Sequence, residues 1–233
     1  MIPPDACLRV IGDVHGDIRA FTYAVATDRF IVQLGDLVDY GPDSAGVLRA
    51  MFALMDAGRG IFLLGNHDHK LARALAGHDV RLTEDLRVTL AQLDEGLKVR
   101  ALAEIARAPA WLRTEKCLFV HGGFHTAMLQ EAPPTGLARA EGVLARALFG
   151  QPTGRTQPDG FPERSLAWIA RIPADLTVYC GHDRRSTDGR PARFVNENGG
   201  AAVFLDTGAG KGGHLSWIDL PPWHVAPTHG TLG

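Results

Sequence analysis

The chain has 233 residues, 45% of them apolar and 21% charged, with 24 basic and 26 acidic side chains for a net charge of −2. This is the balance of an ordinary folded protein, long enough to bury a core without disulfide staples. It excludes a nucleic-acid duplex bound through bulk positive charge, and the absence of an apolar run of ~18 residues excludes a transmembrane helix.

The first half alternates strand-like and helix-like patterns. Leu8 to Ile11 is a short apolar run ending in Gly12-Asp13. Ile18, Phe21 and Val25 then recur at helical spacing. Phe30 to Leu34 is a second strand-like run, again ending in Gly-Asp, and Val47, Leu48, Met51, Phe52 and Met55 share one face of a second helix. Ile61 to Leu64 is a third strand-like run, closed by Gly65-Asn66-His67-Asp68. Strand, loop and helix repeated in this way predict βαβ units and a parallel sheet. Residues 68–107 read as mostly helical, and Leu118 to Val120 as a strand ending at His121-Gly122-Gly123. Residues 131–162, rich in proline and glycine around a helical patch at 137–149, predict an excursion over the surface. Leu166 to Ile169 reads as helical, and Leu176 to Cys180 as a strand ending in Gly181-His182. Ala202 to Leu205 and Leu215 to Ile218 flank a glycine-rich turn and predict a hairpin-like pair. One domain over 1–220 with an extended tail over 221–233 is the expected organisation. Cys7, Cys117 and Cys180 lie far apart, form no CxxC and read as buried small apolar residues. The N-terminus shows no basic stretch followed by an apolar run, so no secretory signal and a cytoplasmic location are expected.

The chemistry-bearing residues fall at the ends of the predicted strands. They are Asp13 and His15 in GDVHGD, Asp36 and Asp39 in GDLVDYGPDS, Asn66, His67 and Asp68 in GNHD, His121 in HGG and His182 in GHD. Loops beyond the carboxyl ends of strands in an open α/β sheet form one crevice, so separate segments can deliver these side chains to one place. Asp and His are ligands of borderline divalent metals. More than four such groups, with one carboxylate free to bridge, favour two ions over one. Singly, each motif reads as a turn, a polar loop or a helix cap, Asn66 or Asp68 being possible caps. In sequence, each at a strand end, they point to a metal site.

This order of motifs resembles the calcineurin-like metallophosphoesterase superfamily over roughly residues 8–220. The HGG and the later LDTGAGKGG resemble its phosphoprotein-phosphatase branch, which includes small bacterial and phage members and the diadenosine tetraphosphatases. The resemblance implies a four-layer αββα sandwich with two central mixed sheets and the metal site at the strand edge. It implies that Asp13 and His15 bind the first metal, that Asp36 bridges both, and that Asn66, His121 and His182 complete the second. His67 matches the general acid and Asp39 the carboxylate that holds its imidazole, an arrangement that keeps a histidine protonated. Two divalent ions are implied, Mn²⁺ first, with Fe, Zn, Ni or Co as alternatives. They would supply a nucleophile at neutral pH and stabilise charge on phosphoryl oxygens.

The resemblance departs at Tyr40, where that branch has arginine in GDxVDRG, and at Leu64, where many members have arginine before GNH. Two phosphate-clamping guanidiniums are missing. Arg184 and Arg185, directly after GHD, are the preferred replacements, ahead of Lys70, with Arg171 weaker, because a guanidinium binds phosphate bidentately. GAGKGG at 208–213 fails the spacing of a nucleotide-binding P-loop and reads as a turn. His69 and His125 read as exposed loop residues. The expected function is hydrolysis of phosphomonoesters on protein Ser, Thr or Tyr. The alternative substrates are dinucleoside polyphosphates or other nucleotides. A binding scaffold that has lost catalysis is disfavoured, because every ligand and the acid are present.

Overall fold

The structure, a computed structural model, describes residues 2–157, 160, 162–186 and 188–222. The expected tail over 221–233 lies outside the described residues beyond position 222. Three parallel strands, β1 (Leu8–Ile11), β2 (Phe30–Gln33) and β3 (Gly60–Phe62), form one sheet, and the late strand β11 (Trp217–Leu220) joins it antiparallel to β1. The second sheet has the order β4 (Trp111–Arg113), β5 (Cys117–Val120), β8 (Thr177–Cys180), β10 (Ala201–Phe204) and β9 (Ala192–Val195). Its three middle strands are parallel and its two edges antiparallel. Both sheets are therefore mixed. A separate exposed hairpin is made by β6 (Pro152–Thr156) and β7 (Pro162–Arg164).

Alternation along each strand places the layers. Leu8, Val10, Phe30 and Val32 meet Phe119, Tyr179 and Val203 in one apolar cluster between the sheets, with the Phe119 and Tyr179 rings stacked at 5.5 Å. The intervening residues Ile11 and Ile31 face outward against helices α1 (Ile18–Ala24), α2 (Ser44–Asp56), α3 (Asn66–Leu75), α4 (Glu84–Gln92) and α5 (Glu95–Arg107). Leu118, Val120, Val178, Ala202 and Phe204 face the other way, under α6 (Gly142–Phe149) and the 3₁₀ turns Thr126–Leu129 and Ala167–Arg171. Each fully buried large apolar side chain contributes ~1.5–3 kcal/mol of transfer free energy, so three such clusters fix the sheets against each other. The result is the α/β sandwich expected, with one thick helical layer and one thin one. Side-chain caps start three of the helices: Asp17 accepts from Ala20 N, Asp43 from Gly46 N and Asp94 from Leu97 N.

Three expectations are corrected. Ala202–Leu205 and Leu215–Ile218 are not a hairpin pair: β10 pairs with β8 and β9, whereas β11 crosses to the other sheet and pairs with β1. Cys7 is exposed, and only Cys117 and Cys180 are buried. His69 is buried on α3 and bonded to the Ala138 carbonyl, and His125 caps a 3₁₀ turn through Ala127 N. Among the described residues no helix is long and apolar enough to cross a membrane.

Candidate metal centre and active site

Each parallel strand of both sheets ends at the same edge, and the loops there bring the predicted residues together. Asp13 and His15 follow β1, Asp36 and Asp39 follow β2, Asn66 and His67 open α3 after β3, His121 follows β5 and His182 follows β8. Close backbone approach makes this possible. A Cβ on Gly65 would lie 2.1 Å from Asp36 N, and one on Gly181 would lie 2.0 Å from Asp13 Oδ1. His15, Asp36, Asp39, Tyr40 and His182 all adopt positive φ, leaving Asp175 as the one other non-glycine that does so among the described residues. Such conformations cost of order 1–3 kcal/mol each and persist where the surrounding structure imposes them.

Asp36 is the hub. Its Oδ1 accepts from His67 N at 2.9 Å, so this carboxylate caps the N-terminus of α3, where helix-dipole and N–H groups favour negative charge. Its Oδ2 lies 3.3 Å from His121 Nε2 and 3.7 Å from His15 Nε2. Burial works against the charge, yet His121 and His67 hold the carboxyl well below the usual range. Two groups of potential ligand atoms, each within 4.8 Å of one another, share it: His15, Asp36 and His67, and Asp36, His121 and His182. Two clusters joined by one carboxylate are the pattern of a dinuclear centre.

The chemistry of the donors fits cations. His15 Nδ1 lies 3.0 Å from the Val38 carbonyl, to which it donates; this leaves Nε2 as a buried lone pair with no hydrogen-bond partner. Burial lowers this imidazole to about 3, so it is a neutral donor. Asp13 Oδ2 is 3.8 Å away; burial and then the nearby Asp206 charge push Asp13 well above the usual carboxylate range. His121 is fixed through Nδ1 to the Leu34 carbonyl, while Nε2 faces Asn66 Oδ1 at 2.9 Å as well as Asp36. Burial alone would strip its charge, but Asp36 and Asp13 raise it to about 9. An imidazole nitrogen surrounded by oxygen acceptors is a place where a positive charge is stabilised.

His67 stands apart in its bonding. Its Nδ1 lies 2.6 Å from Asp39 Oδ2, leaving Nε2 on the opposite side of the ring. Burial would lower the imidazolium, but Asp36 and the Asp39 bond raise it above its ordinary value. Asp39 is itself held by Thr89 Oγ1, which donates to its Oδ1 at 2.7 Å, and its backbone N–H donates to Ser44 Oγ. The carboxylate, imidazole and their support can carry a proton to a leaving oxygen.

The sequence missed several contributors. Asp68 is not a cap: its carboxylate accepts from Asp36 N at 2.7 Å and Leu37 N at 3.0 Å, fixing the loop that carries Asp36. Asp68→Ala would leave two buried N–H groups unpaired and is expected to destabilise the fold by about 2–6 kcal/mol. Urea unfolding of the two proteins measures this, and a change under about 0.5 kcal/mol would show that the loop holds without it. Arg164 on β7 donates to His182 Nε2 at 3.1 Å, and its Nε has no partner among the described residues. Of the expected phosphate cations, Arg185 is engaged with Asp183 and the Arg164 carbonyl. Lys70 reaches Thr83 Oγ1 and lines a cleft beside Asn66. The guanidinium of Arg184 lies against the Gly208 turn. Arg171 lines a small cavity with Phe124, His125 and Trp168, and none of the proposed ligands lines it.

The family model described as Calcineurin-like phosphoesterase matches residues 8–186. The chain belongs to the calcineurin-like phosphoesterase family. It is a metal-dependent phosphoesterase, with the sandwich fold and the clustered ligands of that family. Among curated relatives, the bis(5'-nucleosyl)-tetraphosphatase PrpE [asymmetrical] of Anoxybacillus flavithermus is 28% identical, over 96% of this chain and 94% of its own. The enzyme of that name from Geobacillus thermodenitrificans is 28% identical over 91% and 89%. A solved structure described as a candidate diadenosine tetraphosphatase shares the fold, with TM-score 0.55 and 24% identity over 97% of this chain and 96% of that one. These relatives overturn the placement of this calcineurin-like phosphoesterase in the phosphoprotein-phosphatase branch: they match nearly its whole length and carry a nucleotide tetraphosphatase name. The reason is physical. HGG, GH and DTG build the metal edge, which is common to different phosphoryl substrates, and Tyr40 and Leu64 already departed from that branch.

Proposed function

We propose that this protein hydrolyses dinucleoside polyphosphates, cleaving a phosphoanhydride with two divalent ions, Mn²⁺ first among them. The observation that carries the choice of substrate is a cleft that begins at the metal edge. A cavity of about 600 Å³ runs from Asn66 past Lys70, Arg73, Arg81 and Arg139, with Asp79 as its acidic residue and Phe149 at its wall. A phosphomonoester needs charge at one phosphate. Four cations along a cleft suit a chain of phosphates, and the partly exposed Phe149 ring, 37% accessible, offers a face for a base. The relatives' name points the same way.

Asp13, His15, Asp36, Asn66, His121 and His182 would hold the ions, through a mixed imidazole and carboxylate set without thiolate that suits Mn²⁺ and also admits Fe, Zn, Ni or Co. When bound, the ions supply a nucleophile at neutral pH and stabilise charge on the phosphoryl oxygens. Asp39 orients His67, and His67 gives its proton to the departing oxygen. Asp68 and the N-terminus of α3 hold Asp36 in place.

The test compares diadenosine tetraphosphate, a phosphopeptide and p-nitrophenyl phosphate on the Mn²⁺-loaded protein, with a chelator control. The expected order of kcat/KM puts the tetraphosphate first. The double variant Arg73→Ala/Arg81→Ala is expected to raise KM for the tetraphosphate at least ~10-fold, the worth of one lost charge-assisted contact, and far more than for p-nitrophenyl phosphate. A phosphopeptide preference, or equal effects of the double variant on both substrates, would overturn the nucleotide reading.

A further inference from the structure

Tyr40 leaves the position after Asp39 without the expected guanidinium, and Arg185, Lys70 and Arg171 are engaged elsewhere. The residue that does come to this position lies in the glycine-rich segment 208–213, which reads from sequence as a plain turn. Lys211 Nζ lies over the Tyr40 ring, 4.3 Å from its centroid. That ring in turn meets the rings of His15 at 4.9 Å and His67 at 5.2 Å. We propose that Lys211, seated on the face of Tyr40, is the cation that binds the phosphoryl group undergoing transfer.

Two further observations support it. The segment is fixed against the site: a Cβ on Gly210 would lie 2.2 Å from the His15 carbonyl oxygen. Thr207 Oγ1 donates to the His214 carbonyl, Gly208 N donates to Asp206 Oδ1, and Lys211 N donates to the Gly208 carbonyl. Finally, no carboxylate lies within ion-pair distance of Lys211 among the described residues, so its three donors remain for a ligand. The Tyr40 ring supports the ammonium through its π face. The pair Tyr40–Lys211 thus supplies by stacking a charge that one arginine would supply directly. An ammonium is a point charge with rotatable donors, so it does not impose the bidentate geometry of a guanidinium.

The inference rests on the metal-dependent chemistry and not on the nucleotide part of the proposed function, so the two can fail separately. The test uses inorganic phosphate as inhibitor and p-nitrophenyl phosphate as substrate, on Mn²⁺-loaded protein whose metal content is measured for every variant. Lys211→Met is expected to raise both KM and the phosphate inhibition constant ~10-fold to 100-fold, the worth of a hydrogen bond to a charged group, with both ions retained and kcat little changed. Lys211→Arg should restore most of the loss. Tyr40→Arg/Lys211→Met should recover phosphate affinity from the other side of the pair. An unchanged phosphate inhibition constant in Lys211→Met overturns the proposal. Loss of metal in that variant, or no recovery by Lys211→Arg, also overturns it by showing a role in holding the loop alone.

Discussion

Asp36→Asn is expected to lose both metal ions and to lower kcat/KM by roughly 10³-fold or more, about 4 kcal/mol of barrier. Asp36 is the one residue common to the two ligand groups. Its Oδ2 faces His121 and His15, while its Oδ1 is spent on the N-terminus of α3. An amide oxygen carries no net charge and its nitrogen repels cations, so one substitution weakens both positions. Metal analysis by mass spectrometry after dialysis, with turnover of p-nitrophenyl phosphate alongside, checks it. Two ions per chain with near-normal turnover would show that Asp36 is not the bridge. The fold should survive, because the asparagine Oδ1 can still accept from His67 N.

His67→Asn is expected to keep both ions, since Asp13, His15 and Asp36 remain for the first, and to lower kcat by ~10²–10⁴ for alkyl phosphates, the usual worth of general acid–base catalysis. The loss should shrink for p-nitrophenyl phosphate and for nucleotide leaving groups, whose departing oxygens are less basic and need less help from a proton. A loss independent of leaving group would remove His67 from the role of acid. A pH profile supplies a second reading. Asp39 stabilises the imidazolium, so Asp39→Asn should lower the His67 pKa. The acid form would then be lost at lower pH, moving the alkaline limb of kcat toward acid. An alkaline limb that stays in place would mean that it belongs to another group.

The metal edge was legible because its signals are local. A short apolar run, a glycine and a ligand recur as neighbours in sequence, and the βαβ rule takes them to one crevice. The supporting groups were not legible, because each acts across long sequence distances. Thr89 serves Asp39 from another helix, and Asp68 serves the backbone of Asp36 and Leu37. Asp68 also sits where a cap is expected, and only the folded loop shows where its carboxylate goes. Tyr40 could be seen as a departure, but its partner 171 positions later could not, since nothing in GAGKGG marks a lysine as facing a ring. Strands β6 and β7 carry no apolar alternation, every described β6 residue being exposed, so no sequence pattern marks Arg164 on that hairpin. The hairpin expected over 202–218 has the opposite cause: the two runs are adjacent in sequence, whereas β10 and β11 belong to different sheets.

That crossing has a consequence for the strand that begins the metal edge. β1, the strand that delivers Asp13 and His15, lies between β2 and β11 only because the chain returns from the second sheet after β10. A chain ending before Trp217 would leave the four residues of β1 as an open edge, with Val10 and Leu8 in an apolar row. Unpaired N–H and C=O groups on such an edge are a template for another chain's strand. Pairing with β11 satisfies them and makes β11 the edge of this sheet. Arg9 also reaches across to Asp219 with two bonds, at 2.8 and 2.9 Å, and lies over the Trp217 ring, pinning β11 in register. β11 therefore takes the edge position in place of the strand on which the chemistry begins, and places the charged Asp219 on that edge.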